Sequence, residues 1–342
     1  MNQPAPKVFD SETPLPDPAL TAKAKMLLGF EERYKRVHNQ LRLLLSLDEI
    51  GVWNKKHHGG KLRLSELVAE QYPLAIFHGD IGTGKTANAE CLANRIVAET
   101  RADDSILFKL SNRVRGSGKV GEMGTHLSEA FHRVTHSAGR GRRAILIIDE
   151  GDSLATSRSQ DHSHHEDKVA VNTLIEGIDD LRRFGGRVVT FLCTNRLSIL
   201  DPALQRRAAI VEEFKRPTAE ERRQLFKLDL AALGLPESQI AQRVAATEAK
   251  NGQPSWTYSD IRTRLYPDVY DNAGQYYARK GRWQEAEQLF RRGVAMDDPD
   301  SMISLADAIR GAKLAAKWPG EDFQLYDRAA SLGHKGAQAE VA

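Results

Sequence analysis

Cysteine is nearly absent from this chain: Cys91 and Cys193 are the only two in 342 residues. That excludes a disulfide framework or a thiolate metal cluster. Both sit in apolar segments and read as small core residues of a reducing compartment, the cytoplasm. No run of 18 apolar residues occurs and no charged-then-apolar leader is visible, so neither a helical membrane span nor a signal peptide is expected. Charge of one sign is also lacking, with Lys+Arg 49 against Asp+Glu 46 and a net +3. Such a mixed, weakly basic balance does not demand nucleic acid, and Arg140-Gly141-Arg142-Arg143 fits a solvated loop ahead of a strand. Aromatic residues are few at 7%, and hydrophobic content of 41% is ordinary for a globular protein of two or three units. Prolines number thirteen, but Pro4, Pro6, Pro14, Pro16 and Pro18 crowd the first twenty residues. That segment is expected to be extended and poorly ordered, draped on a neighbour.

What is present is a phosphate loop. Phe77–Thr86 reads FHGDIGTGKT, and Gly79, Gly84, Lys85 and Thr86 satisfy G-x-x-x-x-G-K-[ST]. Glycines let the loop amides turn inward around phosphate oxygens; lysine reaches the β- and γ-phosphates, and the threonine hydroxyl is offered to Mg²⁺. The apolar run Leu74–Phe77 predicts a buried strand before it, and the alanine-rich Ala87–Val97 predicts a helix after it. The expected nucleotide cradle is therefore Gly79, Asp80, Ile81, Gly82, Thr83, Gly84, Lys85, Thr86 and Ala87, with ATP and Mg²⁺ as its ligands.

A second apolar run, Ala144–Ile148, ends in Asp149-Glu150. Five apolar residues without alternation suit a central parallel strand, and acids at its carboxyl end lie where doubly wound sheets bind ligands. A phosphate loop needs a carboxylate near its metal, so Asp149 is assigned to the Mg²⁺ shell and Glu150 to polarising the attacking water. A third strand, Arg187–Cys193, leads into Thr194-Asn195-Arg196, where the Asn195 amide is placed to meet water or the γ-phosphate; an ordinary turn asparagine is the alternative. The segment Leu200–Ala208 forms a short helix ending in Arg206-Arg207, which alone would read as a solvated basic helix end.

In this order, the phosphate loop, the Asp-Glu strand, the Thr-Asn-Arg strand and Asp201-Pro202-Ala203-Leu204 with its arginines resemble the AAA+ ATPases, over roughly Leu44 to Leu265. The resemblance implies an α/β fold: a five-stranded parallel P-loop sheet with helices on both faces, a small all-helical lid, and assembly into a hexameric ring. An arginine of one subunit would complete the ATP site of the next. Gly151-Asp152-Ser153-Leu154-Ala155 and Asn172–Asp179 look like the clade that remodels proteins. Arg207-Ala208-Ala209-Ile210 resembles the Arg-Ala-Asp-Ile of the pachytene-checkpoint ATPases, which open HORMA-domain proteins, in their compact bacterial form linked to antiphage signalling. That alignment gives Arg207 the trans-acting role, with Arg206 as its understudy. It also places Lys119-Val120-Gly121-Glu122 on the substrate-gripping pore loop, with Lys119 where the family carries an aromatic residue, and Ser259 where many members carry a second sensor arginine.

The implied domains are a Pro-rich segment and leading helix (1–43), the ATPase large domain (44–215), a helical lid (216–268) and a helical extension (269–342). In the extension Leu289–Ala295 recurs as Leu325–Ser331, a shift of 36 residues that suits tetratricopeptide or SEL-type hairpins. The stretch Asp161–Asp167, with His162, His164 and His165, falls where the family has a second mobile pore loop, and is read as that or as a pH-sensitive surface rather than as a zinc site. Three functions compete at this stage. One is a hexameric ATP-driven remodeller that threads a protein partner. Another is a nucleotide-gated switch or scaffold that recruits a partner through its C-terminal helices. The third, an ATPase acting on nucleic acid, draws only on the mild basic balance and Lys119.

Overall fold

A computed structural model describes residues 8–100, 104–111, 114, 121–139, 142–154 and 165–341. Two compact units divide the chain, Met1–Lys215 and Arg216–Ala342.

The first unit is built on a six-stranded sheet: β1 (Phe9–Leu15), β2 (Leu74–Gly79), β3 (Ser105–Leu110), β4 (Ala144–Ile148), β5 (Val188–Thr194) and β6 (Ile210–Phe214), in the order β1-β3-β4-β5-β2-β6. The five strands β2 to β6 run parallel. The central strands β4 and β5 are buried along their whole length because both faces are covered, whereas β6 at the edge carries Glu212 and Glu213. In β4, Ala144, Leu146 and Ile148 point into one core and Ile145 and Ile147 into the other. The first core is closed by helices Glu122–Ser137 and His165–Leu181, which meet so closely that a Cβ on Gly177 would lie 2.5 Å from the Phe131 ring. The second is closed by Phe30–Leu45 and Lys85–Thr100; the former buries Phe30, Tyr34, Val37, Leu41, Leu44 and Leu45, a stripe at helical spacing.

The sixth strand corrects the reading of the proline-rich segment. Residues 9–15 are ordered as an antiparallel edge strand on β3, with Phe9 inserted in the first core against Phe108 (ring centroids 4.9 Å apart) and Leu15 in the second. Pro14 is tolerated because an edge strand has one side on which no ladder donor is required. The following helix, Pro18–Ala24, is capped by Asp17 and strapped to Lys85–Thr100: the Asn94 amide accepts from Asp17 N at 2.6 Å and donates to Asp17 O at 3.1 Å.

The second unit is helical. Thr218 and Thr257 open their helices with reciprocal capping boxes to Glu221 and Asp260. Helices Ala219–Asp229, Glu237–Ala246, Tyr266–Arg279, Trp283–Val294, Pro299–Arg310, Glu321–Ser331 and Lys335–Val341 follow. The 36-residue repeat returns in the burial: Leu289, Phe290 and Gly293 are buried, as are Leu325, Tyr326 and Ala329. No helix among the described residues is long and apolar enough to cross a membrane.

Candidate functional site

The site forms where three neighbouring parallel strands end. The register pairs Ile148 with Leu192 and His78 with Thr194, so Asp149, Asn195 and the loop after Gly79 emerge side by side, with β5 between the other two. This is the carboxyl edge at which open α/β sheets place ligands.

The loop is shaped by its glycines. Gly79, at φ +140°, pairs with Phe214 of β6 so closely that a Cβ would sit 2.1 Å from the Phe214 carbonyl oxygen. Gly82 and Gly84 also have positive φ, at 80° and 92°. Thr83 is buried and its hydroxyl donates to Asp80 O at 2.8 Å, while Asp80 and Ile81 are exposed. Lys85, Thr86 and Ala87 open a 16-residue helix whose first turn has amides with no intrahelical partner.

The Lys85 ammonium is buried and donates to Gly79 O (2.8 Å), Asp80 O (2.9 Å) and Asn195 Oδ1 (3.0 Å). Burial draws its pKa below the ordinary lysine value, opposed by the negative charge of Asp149, Asp80 and Asp152. Beside it the Thr86 hydroxyl donates to Asp149 Oδ2 at 2.8 Å. A hydroxyl and a carboxylate converging at a helix N-terminus are hard oxygen donors of the kind Mg²⁺ takes. Glu150 follows with its side chain exposed and its backbone left-handed at φ +51°. A non-glycine residue held there costs about 1–2 kcal/mol, a strain that collects at functional sites. Burial also raises the Cys193 thiol well above the cysteine range, keeping it protonated beneath the loop.

The structure thus brings Lys85, Thr86, Asp149 and Asn195 into one hydrogen-bonded group, with Glu150 next to it. Arg207 is in another place: its guanidinium is clamped on both oxygens of Asp179, donates to Ala203 O at 3.0 Å, and lies over the Tyr72 ring at 5.3 Å. Hydrogen bonding to Asp179 raises its already high pKa. Arg206 is exposed. Lys119 and Val120, and His162 and His164, lie outside the described residues; no group of three or more metal-competent side chains occurs among the described ones. Sequence reading missed Asn88, a buried amide whose Nδ2 donates to Gly84 O at 2.8 Å, because nothing in the motif specifies that position.

The model of the family described as "ATPase family associated with various cellular activities (AAA)" matches residues 75–216. CD-NTase-associated protein 6 of Escherichia coli (strain KTE188) is 66% identical over 266 residues, 78% of this chain and 89% of that protein. Among solved structures, a chain of the E. coli MS115-1 HORMA:CdnC:Trip13 complex superposes with a TM-score of 0.68 at 35% identity, covering 76% of this chain and 88% of the other. Rhizobiales Trip13 gives 0.55 at 29% identity, covering 76% and 89%. The strand order, the phosphate loop and these likenesses together place the chain: it belongs to the AAA ATPases, on the Trip13-like branch that includes CD-NTase-associated protein 6.

Proposed function

We propose that the protein hydrolyses ATP and uses the cycle to change the conformation of a protein partner, a HORMA-domain protein. The observation that carries the ATPase half is the Lys85 ammonium, buried at the head of a helix and hydrogen-bonded to the neutral oxygens of Gly79, Asp80 and Asn195, beside a Thr86–Asp149 pair. The partner half is supported by the Trip13 relative found in complex with HORMA and CdnC.

In this reading the loop amides and Lys85 bind the phosphates of ATP, and Thr86 and Asp149 hold Mg²⁺. The metal, when bound, neutralises charge on the phosphates. Glu150 positions and polarises the attacking water, and Asn195, already bonded to Lys85, orients that water or the γ-phosphate. Arg207 completes the site of the next subunit in a ring, a role that requires it to leave Asp179. Lys119 and Val120 grip the substrate.

Separating binding from hydrolysis tests the site. Lys85→Ala is expected to abolish binding of a fluorescent ATP analogue. Glu150→Gln is expected to bind normally while hydrolysis falls on the order of 10²–10⁴-fold, the worth of a general base. A Glu150→Gln protein that fails to hold nucleotide contradicts the assignment.

A further inference from the structure

We propose that Arg33, on the helix Phe30–Leu45, is a positioning residue for nucleotide: it fixes both ends of the phosphate loop through Asn88 and Phe214. The proposal rests on the ATPase reading above and concerns a residue far outside the loop motif.

At the far end of the loop, the Gly84 carbonyl accepts from Asn88 N at 2.9 Å and from Asn88 Nδ2 at 2.8 Å, so both its lone pairs are directed at one residue. In a trans peptide the N–H points opposite to the C=O. Pinning the Gly84 carbonyl toward Asn88 therefore aims the Lys85 N–H back into the loop, where a phosphate oxygen would meet it. Asn88 can do this only while its amide keeps that orientation, and Arg33 Nη1 sets it by donating to Asn88 Oδ1 at 3.2 Å. At the near end, Gly79 is seated against the Phe214 backbone, and the Arg33 guanidinium lies 4.3 Å from the centroid of the Phe214 ring. Arg33 Nε is 3.6 Å from Glu212, which holds the guanidinium plane in place between the two contacts. One planar cation thus touches Asn88 at the close of the loop and Phe214 at its start, a geometry that needs the fork of arginine rather than the point charge of lysine. Glu212 also pairs with Arg36, so loss of Arg33 does not strand that carboxylate.

The test compares Arg33→Ala, Arg33→Lys, Asn88→Ala and the Arg33→Ala/Asn88→Ala double variant in the full chain. It reads binding of a fluorescent ATP analogue, steady-state hydrolysis and melting temperature. Arg33→Ala is expected to weaken nucleotide binding about tenfold, the scale of one charge-assisted hydrogen bond, appearing in KM with kcat little changed. Arg33→Lys keeps a cation near Glu212 and over the ring, so it restores melting temperature but leaves KM raised. Asn88→Ala raises KM by a similar factor, and the double variant exceeds Asn88→Ala by less than the factor seen for Arg33→Ala alone, because the Asn88 route is already lost and only the Phe214 contact remains to be removed. Unchanged affinity in Arg33→Ala, full rescue of KM by lysine, or multiplication of the two effects overturns the proposal. A wild-type protein that binds no nucleotide overturns the ATPase reading itself, a distinct result.

Discussion

In the proposed reading, Lys85 is a binding residue prepared before its ligand arrives. Its three ammonium hydrogens are met at 2.8–3.0 Å by two backbone carbonyls and one amide oxygen. These groups compensate part of the desolvation of the cation without cancelling its charge, so an arriving phosphate finds an electrostatic partner in a low-dielectric setting. Arg207 is the opposite case, since Asp179 already neutralises it from two sides. If it serves a neighbouring site, Arg207→Ala leaves nucleotide binding intact and lowers hydrolysis by about 10³–10⁵-fold, as for trans-acting arginines in phosphoryl transfer. Mixing Arg207→Ala with Lys85→Ala subunits should then recover activity at hybrid interfaces. Assembly without recovery means that Arg207 acts only within its own subunit. At this scale the loop was legible in the sequence because its residues are contiguous and spacing along the chain is spacing in the loop. Asn88 and Arg33 were not, because their contact depends on how two helices approach across 55 positions of sequence.

Among the elements, strands β2 and β4 were readable as buried from their unbroken apolar runs and β5 as a third strand, and each leads into the residues expected to follow it. Strand β1 was not readable: FDSETPL has no strong strand pattern, and it is the hydrogen-bonding edge of β3 and two end anchors, Phe9 and Leu15, that order it. In the second unit the helix Tyr266–Arg279 carries a buried acid, Asp271, which accepts from Ser304 Oγ and Gln275 Nε2 at 2.7 Å each. Burial raises its pKa above the ordinary aspartate value, and the nearby charges of Asp298 and Asp300 raise it further. The stability contributed by protonating Asp271 is full below its unfolded pKa and is lost as pH rises through the higher folded one. Wild type should therefore gain stability relative to Asp271→Asn as pH falls from 7 toward 4, read as amide exchange protection in helix Tyr266–Arg279. A gap between the two proteins that is constant or reversed over that range contradicts the shift.

For the whole molecule, the chain carries the proposed nucleotide site at the carboxyl edge of a parallel sheet in one unit and a set of helical hairpins in the other. A motor that spends ATP on a partner requires its hydrolysis to respond to that partner. The most direct measurement is phosphate release by the full chain, titrated with a HORMA-domain protein of the kind found in complex with its E. coli Trip13 relative. The account predicts basal hydrolysis that rises several-fold with the partner and disappears in Glu150→Gln, and a Lys119→Ala variant that keeps the basal rate but loses the response. Hydrolysis indifferent to the partner, or a partner that binds and is released unchanged through many turnovers, would contradict it and leave a nucleotide-gated scaffold in its place.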